Sequence, residues 1–304
     1  MKLLYPAKDK LLYLTMVAFV FIASTALVLA KPSLQLPKYV RQRSVYAPLP
    51  VLADTQNFPV LSAQGAIAVD LDSGVVLYEK NADARLLPAS TTKIMTALVA
   101  MDFYPSDTVV TVHNPSVEGQ KMGLVKGEQI TVRGLLDGLL IYSANDAAEV
   151  LAQIYPGGRE GFVRAMNIKA EALHLNNTHF SNPTGLDGNT HSSTARDMVR
   201  LAEFAMRNPL FAEIVVTKEK MVTDKTGKIV HRLKNINELL GEDGVVGVKT
   251  GWTENARENL VTDVEKDGRR VIIAILGSQD RFGETKELIG WLFDNYHWQE
   301  VIFP

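Results

Sequence analysis

Pro88-Ala89-Ser90-Thr91-Thr92-Lys93-Ile94-Met95 marks the point where the chain changes texture. Upstream, Ala66-Ile67-Ala68-Val69 runs into the turn signal Asp72-Ser73-Gly74 and then Val75-Val76-Leu77-Tyr78, the pattern of a β-hairpin. Downstream, residues 94–101 are apolar and unbroken, which predicts a helix with Ser90 at its start. Helical periods continue over residues 135–154, interrupted around 142–145, and over 159–175 and 193–206. Strand patterns return at 245–248, 259–264 and 271–276, the last two joined by the hairpin turn Lys266-Asp267-Gly268-Arg269, and 284–296 reads as a closing helix. Strands at both ends around a helical middle predict an α+β fold. It has one antiparallel sheet built from both termini, flanked by helices, with an inserted and mainly helical region.

Composition narrows the function classes. A net charge of -2 over 304 residues, with no Lys/Arg stripe, argues against nucleic-acid binding. The absence of cysteine removes thiol catalysis, disulfides and cysteine metal sites, and fits an extracytoplasmic bacterial protein. Six scattered histidines without an HExxH pair give no expectation of a metal, and no cofactor is expected. Residues 11–30 carry no formal charge and would span ~30 Å of hydrocarbon as a helix. Lys2, Lys8 and Lys10 precede them against Asp9 alone, which keeps the N-terminus cytoplasmic and sends the remainder outward. An uncleaved anchor is preferred, with a signal peptide cut after Ala30 as the alternative. Residues 31–57, with Pro32, Pro37, Pro48 and Pro50, are expected to be an extracytoplasmic linker, and 58–304 the catalytic domain.

Three motifs supply the chemistry. A serine hydroxyl needs a base, and Lys93 lies one helical turn from Ser90. Lysine acts as a base only if its pKa falls from about 10.4 through burial or a nearby cation, and Lys249 is the candidate cation. Taken alone, Ser90 also reads as a helix cap and Lys93 as a solvated residue. Ser143-Ala144-Asn145 interrupts a helical pattern; it reads as a cap of the next helix or as a proton relay, with the Asn145 amide holding substrate backbone and Lys93. Lys249-Thr250-Gly251 follows the strand-like Val245-Val246-Gly247-Val248, where Lys249 and Thr250 would bind a carboxylate and glycine admits a substrate backbone. The twin Lys225-Thr226-Gly227, framed by Asp224 and Lys228, reads as a hairpin turn only. Backbone N–H groups at the start of the Ser90 helix and at Trp252 are the expected oxyanion donors.

With the motifs in place, the chain resembles the serine D-alanyl-D-alanine carboxypeptidases, the low-molecular-mass penicillin-binding proteins, over about residues 60–300. The likeness extends to Leu87-Pro88-Ala89-Ser90-Thr91-Thr92-Lys93-Ile94-Met95-Thr96, to Ser143-Ala144-Asn145-Asp146-Ala147-Ala148, and to Asn182-Pro183-Thr184-Gly185-Leu186 followed by His191-Ser192-Ser193-Thr194-Ala195. It implies a β-lactamase/DD-peptidase-like fold, peptidoglycan stem peptides ending in D-Ala-D-Ala as substrates, and β-lactams as covalent inhibitors. By the same resemblance Ser90 is the nucleophile, Lys93 the base, Ser143 the relay and Lys249 the carboxylate anchor, and Arg281 matches a basic position near the family's C-terminal helix, which reads as a substrate contact or as a surface charge. A DD-endopeptidase acting on cross-links is the nearest alternative. A β-lactamase is disfavoured because Glu171-Ala172-Leu173-His174-Leu175-Asn176 misses the expected Glu-x-x-Leu-Asn spacing by one residue, and a non-catalytic wall-binding protein because every motif side chain is present. One departure concerns the cleft: relatives often carry Ala-Gly where this chain has Ala256-Arg257, which puts the edge of the motif strand in question.

Overall fold

The computed structural model describes residues 47–53 and 57–300; the expected membrane segment 11–30 and most of the expected linker lie outside the described residues. Among the described residues no helix is long and apolar enough to cross a membrane. The folded body begins with β1 (Leu49–Leu52), β2 (Gly65–Asp70) and β3 (Val76–Lys80), then a 3-10 turn at Ala89–Thr92 leads into α1 (Lys93–Phe103). The helical middle holds β4 (Val109–Thr111), β5 (Gln129–Thr131), α2 (Val132–Ile141), α3 (Asn145–Gln153), α4 (Gly158–Ala172), α5 (Ala195–Met206) and α6 (Pro209–Val215). A hairpin of β6 (Glu219–Thr223) and β7 (Val230–Lys234) precedes β8 (Val245–Thr253), β9 (Arg257–Lys266), β10 (Arg269–Ser278), α7 (Arg281–Asn295) and β11 (Tyr296–Gln299).

The main sheet is antiparallel throughout, in the order β3-β2-β10-β9-β8, so strands from the two ends of the chain meet where β2 pairs with β10. Side chains alternate across a strand. In β10, Ile272, Ala274 and Leu276 enter the core shared with the helices, whereas Val271, Ile273 and Ile275 pack in a second core with Leu288, Ile289 and Leu292 of α7. A sheet covered on both faces explains why β10 reads as an unbroken apolar run. The β9–β10 turn takes Asp267 and Gly268 at φ +52° and +70°, the left-handed pair that a two-residue hairpin demands. α1 is buried from Lys93 to Ala100 and is the central helix of the helical region.

One expected boundary shifts. Leu49–Leu52, assigned to the linker, pairs antiparallel with Tyr296–Gln299, so the folded body starts before residue 58. Pro50 is tolerated there because a two-stranded ribbon leaves one edge of each strand unpaired. The twin motif at 225–227 is a hairpin turn as expected, with Asp224 accepting from Thr226 and Ile229 and Gly227 at φ +72°.

Candidate active site

Tight winding at the start of α1 brings Ser90 and Lys93 together, because residues three apart eclipse in a 3-10 turn. Lys93 Nζ lies 2.7 Å from Ser90 Oγ and donates to the Thr184 carbonyl at 2.6 Å. Neither competing reading holds: Ser90 makes no capping hydrogen bond, and Lys93 is fully buried. Burial, reinforced by the neighbouring Lys249 charge and opposed by Asp146 and Glu149, holds the Lys93 pKa well below its ordinary value. That shift favours the free amine beside Ser90 relative to an exposed lysine.

The Ser90 turn is backed by a loop whose shape one side chain enforces. Asn182 Oδ1 accepts from the Thr184 N–H, the Thr184 hydroxyl and the Gly185 N–H, and its Nδ2 donates to the Leu186 carbonyl at 2.8 Å. That arrangement presents the Thr184 carbonyl to Lys93. Thr96 clamps the same loop by donating to the Pro183 carbonyl at 2.6 Å. His191 Nδ1 accepts from the Ser181 N–H, so the proton sits on Nε2 and is donated to the Thr92 hydroxyl at 2.8 Å. Burial pushes its pKa down to about 4, which keeps this strut neutral.

Ser143 occupies the break between α2 and α3 at φ +61°, a conformation uncommon for a residue with a β-carbon. It is 2% exposed, and the cap position of α3 is taken by Ala144 without a side-chain bond. Asn145 departs from expectation. Its Nδ2 donates to the Glu118 carbonyl and its N–H to the Gln120 carbonyl, both at 2.7 Å, and no hydrogen bond joins it to Lys93 among the described residues. Its Oδ1 is buried without a partner. The orientation is set by the loop ahead of β5, whose carbonyls claim the amide first.

Lys249, Thr250, Gly251 and Trp252 lie on β8, the edge strand of the sheet, which packs against the Ser90 turn. Lys249 is 2% exposed, and burial followed by the Arg281 charge lowers its pKa to about 7. A β-carbon on Gly251 would stand 3.0 Å from the Ser90 nitrogen, so glycine keeps that N–H open to a ligand. Arg281, at the start of α7, donates through Nη1 to the Gly251 carbonyl at 3.1 Å, and Trp252 is 61% exposed at the mouth. Thr250 Oγ1 and Arg281 Nε join Asn145 Oδ1 as buried polar atoms without a partner among the described residues. Buried polar atoms are normally paired, so these three hold unused hydrogen-bonding capacity.

Arg257 leaves the strand edge intact. β8 and β9 pair without a break from Thr253↔Arg257 to Val248↔Thr262, and Arg257 itself takes φ +57°. The conformation that suits glycine is thus retained with a different residue. Two positioning residues carry no signal of their own in the sequence. Asn259 of β9 bridges the Leu87 carbonyl and the Gly277 N–H, and Asp187 accepts from Thr253 and Asn255 to tie the backing loop to the β8–β9 turn. Asn182 and His191 belong to stretches quoted above for the family likeness, which gave neither residue a role.

A family model described as D-alanyl-D-alanine carboxypeptidase, peptidase S11, matches residues 53–280. The D-alanyl-D-alanine carboxypeptidase DacF of Bacillus subtilis is 37% identical over 245 residues, covering 77% of this chain; the chain spans 63% of that relative's length. A D-alanyl-D-alanine endopeptidase of Pseudomonas aeruginosa is 35% identical over 242 residues, 76% of this chain and 77% of its own. Among solved structures, a D-alanyl-D-alanine carboxypeptidase from Mycobacterium tuberculosis superposes with a TM-score of 0.75 at 35% identity, covering 83% of this chain and 98% of the other. A buried lysine beside a serine, opposed by a lysine-bearing edge strand, thus coincides with a match across most of the length, and the chain belongs to the peptidase S11 family of D-alanyl-D-alanine carboxypeptidases.

Proposed function

We propose that the protein is a serine D-alanyl-D-alanine carboxypeptidase that removes the terminal D-alanine from peptidoglycan stem pentapeptides. The observation that carries this reading is the buried amine of Lys93, 2.7 Å from Ser90 Oγ, with burial and the Lys249 charge lowering its pKa. Lys93 takes the hydroxyl proton as Ser90 Oγ bonds to the carbonyl carbon of the penultimate D-alanine. The Ser90 and Trp252 N–H groups hold the oxyanion, each such donor being worth roughly 10²- to 10³-fold in rate. Ser143 passes the proton to the leaving nitrogen, the C–N bond breaks, and D-alanine departs. Water then hydrolyses the ester on Ser90. Lys249, Thr250 and Arg281 bind the terminal carboxylate, Asn145 Oδ1 accepts from the substrate backbone, and Trp252 lines the entrance. β-Lactams acylate the same serine.

Residues 11–30 anchor the chain in the membrane, and the catalytic body, with its start moved back to include Leu49–Leu52, acts outside the cytoplasm in wall maturation. Incubation with a fluorescent penicillin is expected to label the parent covalently and leave Ser90→Ala unlabelled; equal labelling of both would overturn the nucleophile. The endopeptidase name of two relatives keeps a second reading in play. Monomeric pentapeptide and cross-linked dimer muropeptides separate the two, since exclusive cleavage of dimers would reverse the assignment. Turnover of penicillin in place of a lasting adduct would point to a β-lactamase.

A further inference from the structure

A buried pair of titratable side chains lies outside the chemistry described so far. His231 of β7 and Glu128, just ahead of β5, are 4% and 3% exposed, and His231 Nε2 lies 2.6 Å from Glu128 Oε1. The other ring nitrogen, Nδ1, donates to the Met122 carbonyl at 3.0 Å, and Glu128 Oε2 accepts from the Val125 N–H at 3.0 Å. Since Nδ1 must carry a proton to meet a carbonyl, the short contact at Nε2 requires one further proton shared between imidazole and carboxylate. Wherever that proton sits, the pair is neutral as a unit, and all four of its polar atoms are satisfied.

Met122 is where this pair meets the cleft. Its carbonyl is held by His231, its N–H donates to Asp146 Oδ1 at 3.1 Å, and its side chain lies on Gly138 of α2, where a β-carbon would come within 2.3 Å of the sulfur. Gly123 and Leu124 also donate to Asp146, while the carbonyls of Glu118 and Gln120 hold Asn145. Loop 118–124 is thus pinned between the start of α3 and the β6–β7 hairpin.

We propose that His231 and Glu128 form a proton-sharing latch that fixes loop 118–124 on the start of α3, making His231 a positioning residue for Asn145. This rests on the reading of that cleft as the peptide site. Asn145 keeps its Oδ1 free only while the Glu118 carbonyl occupies its Nδ2, and the latch holds that carbonyl in place. Without it the loop lifts, the amide turns toward other partners, and the substrate loses an acceptor.

The test uses the full chain with His231→Leu, Glu128→Leu and Glu128→Gln. Penicillin titration counts acylatable sites, and KM and kcat per titrated site are then measured on a synthetic peptide ending in D-Ala-D-Ala. Both leucine variants are expected to raise KM about tenfold with a smaller change in kcat, the scale of one buried hydrogen-bond partner lost. In the same variants the amides of Met122, Gly123, Leu124 and Asn145 should exchange hydrogen about tenfold faster or more, with α1 unchanged. Glu128→Gln keeps the latch, because an amide can donate to Nε2 of a neutral imidazole and still accept from Val125. Unaltered exchange in loop 118–124, or a KM within twofold of the parent per titrated site, would overturn the proposal. If neither leucine variant gives folded protein, His231→Gln, which retains a single donor, is read on the same two scales. Absence of penicillin labelling in the parent would refute the peptidase reading instead, while the exchange measurement still decides the latch.

Discussion

Gly185 faces Ala89 so closely that a β-carbon on it would lie 1.9 Å from the Ala89 carbonyl oxygen and 3.0 Å from the Ser90 nitrogen. Both residues also take positive φ, +85° and +48°, so the backing loop and the nucleophile turn interlock backbone against backbone. Gly185→Ala is therefore expected to push the Ser90 turn toward β8 and narrow the space in front of its N–H. We expect a stability loss of at least about 2 kcal/mol, from left-handed strain and overpacking together, with penicillin acylation slowed more than 100-fold. Urea denaturation and acylation kinetics check the two effects separately. Normal acylation in a destabilised variant would show that the loop supports the fold without shaping the site.

Two buried lysines of lowered pKa set the pH dependence. Lys93 must be neutral to accept the Ser90 proton, and Lys249 must be charged to hold a carboxylate. Because the Lys93 pKa is well below normal, its amine form is gained at lower pH than in an exposed lysine. Lys249, at about 7 before substrate binds, loses its charge on the alkaline side. A bell-shaped kcat/KM profile is expected, with Lys93 on the acid limb and Lys249 on the alkaline limb. Lys249→Arg keeps its charge at every accessible pH and should flatten the alkaline limb. An unchanged alkaline limb in that variant would assign it to another group.

The same depression has a cost in stability. In the unfolded chain Lys249 titrates near 10.5 and in the folded one at about 7, so between these values the unfolded state binds an extra proton and stability rises with pH. The penalty is full below about pH 7, shrinks as pH rises, and vanishes above 10.5. Lys249→Met should then be more stable than the parent at pH 6, by on the order of a few kcal/mol, and equal to it near pH 10.5. Thermal unfolding across that range measures the difference. A gap that widens with pH would contradict the assignment.

Much of the site was legible because its chemistry is local. Ser90 and Lys93 share one turn, and the apolar run before Lys249 distinguished a buried strand end from the exposed hairpin at 225–227. The Asp267-Gly268 turn was readable for the same reason, since left-handed turn residues declare themselves in sequence. What escaped depends on distant partners. Nothing in Asn259 announces that it will bridge Leu87 and Gly277, and the expected bond from the Asn145 amide to Lys93 is missing because the Glu118 carbonyl that captures its Nδ2 is 27 residues away. β1 escaped because its strand partner lies at the other end of the chain. β4 and β5, at three residues each, are too short for any period to show.

Arg257 offers the cleanest test of a local rule against the tertiary fold. Its φ of +57° crowds the β-carbon against its own backbone, yet the β8–β9 pairing continues through it to Thr253. A left-handed residue with a side chain costs about 1 to 2 kcal/mol relative to glycine, partly offset by the greater freedom glycine gains when unfolded. Arg257→Gly is thus expected to raise Tm by about 2 to 4 °C in a body of this size. The strand edge is already formed in the parent, so penicillin acylation should change by less than about twofold. A drop in acylation would mean that the Arg257 side chain takes part at the cleft, whereas a fall in Tm would mean that its contacts outweigh the backbone strain.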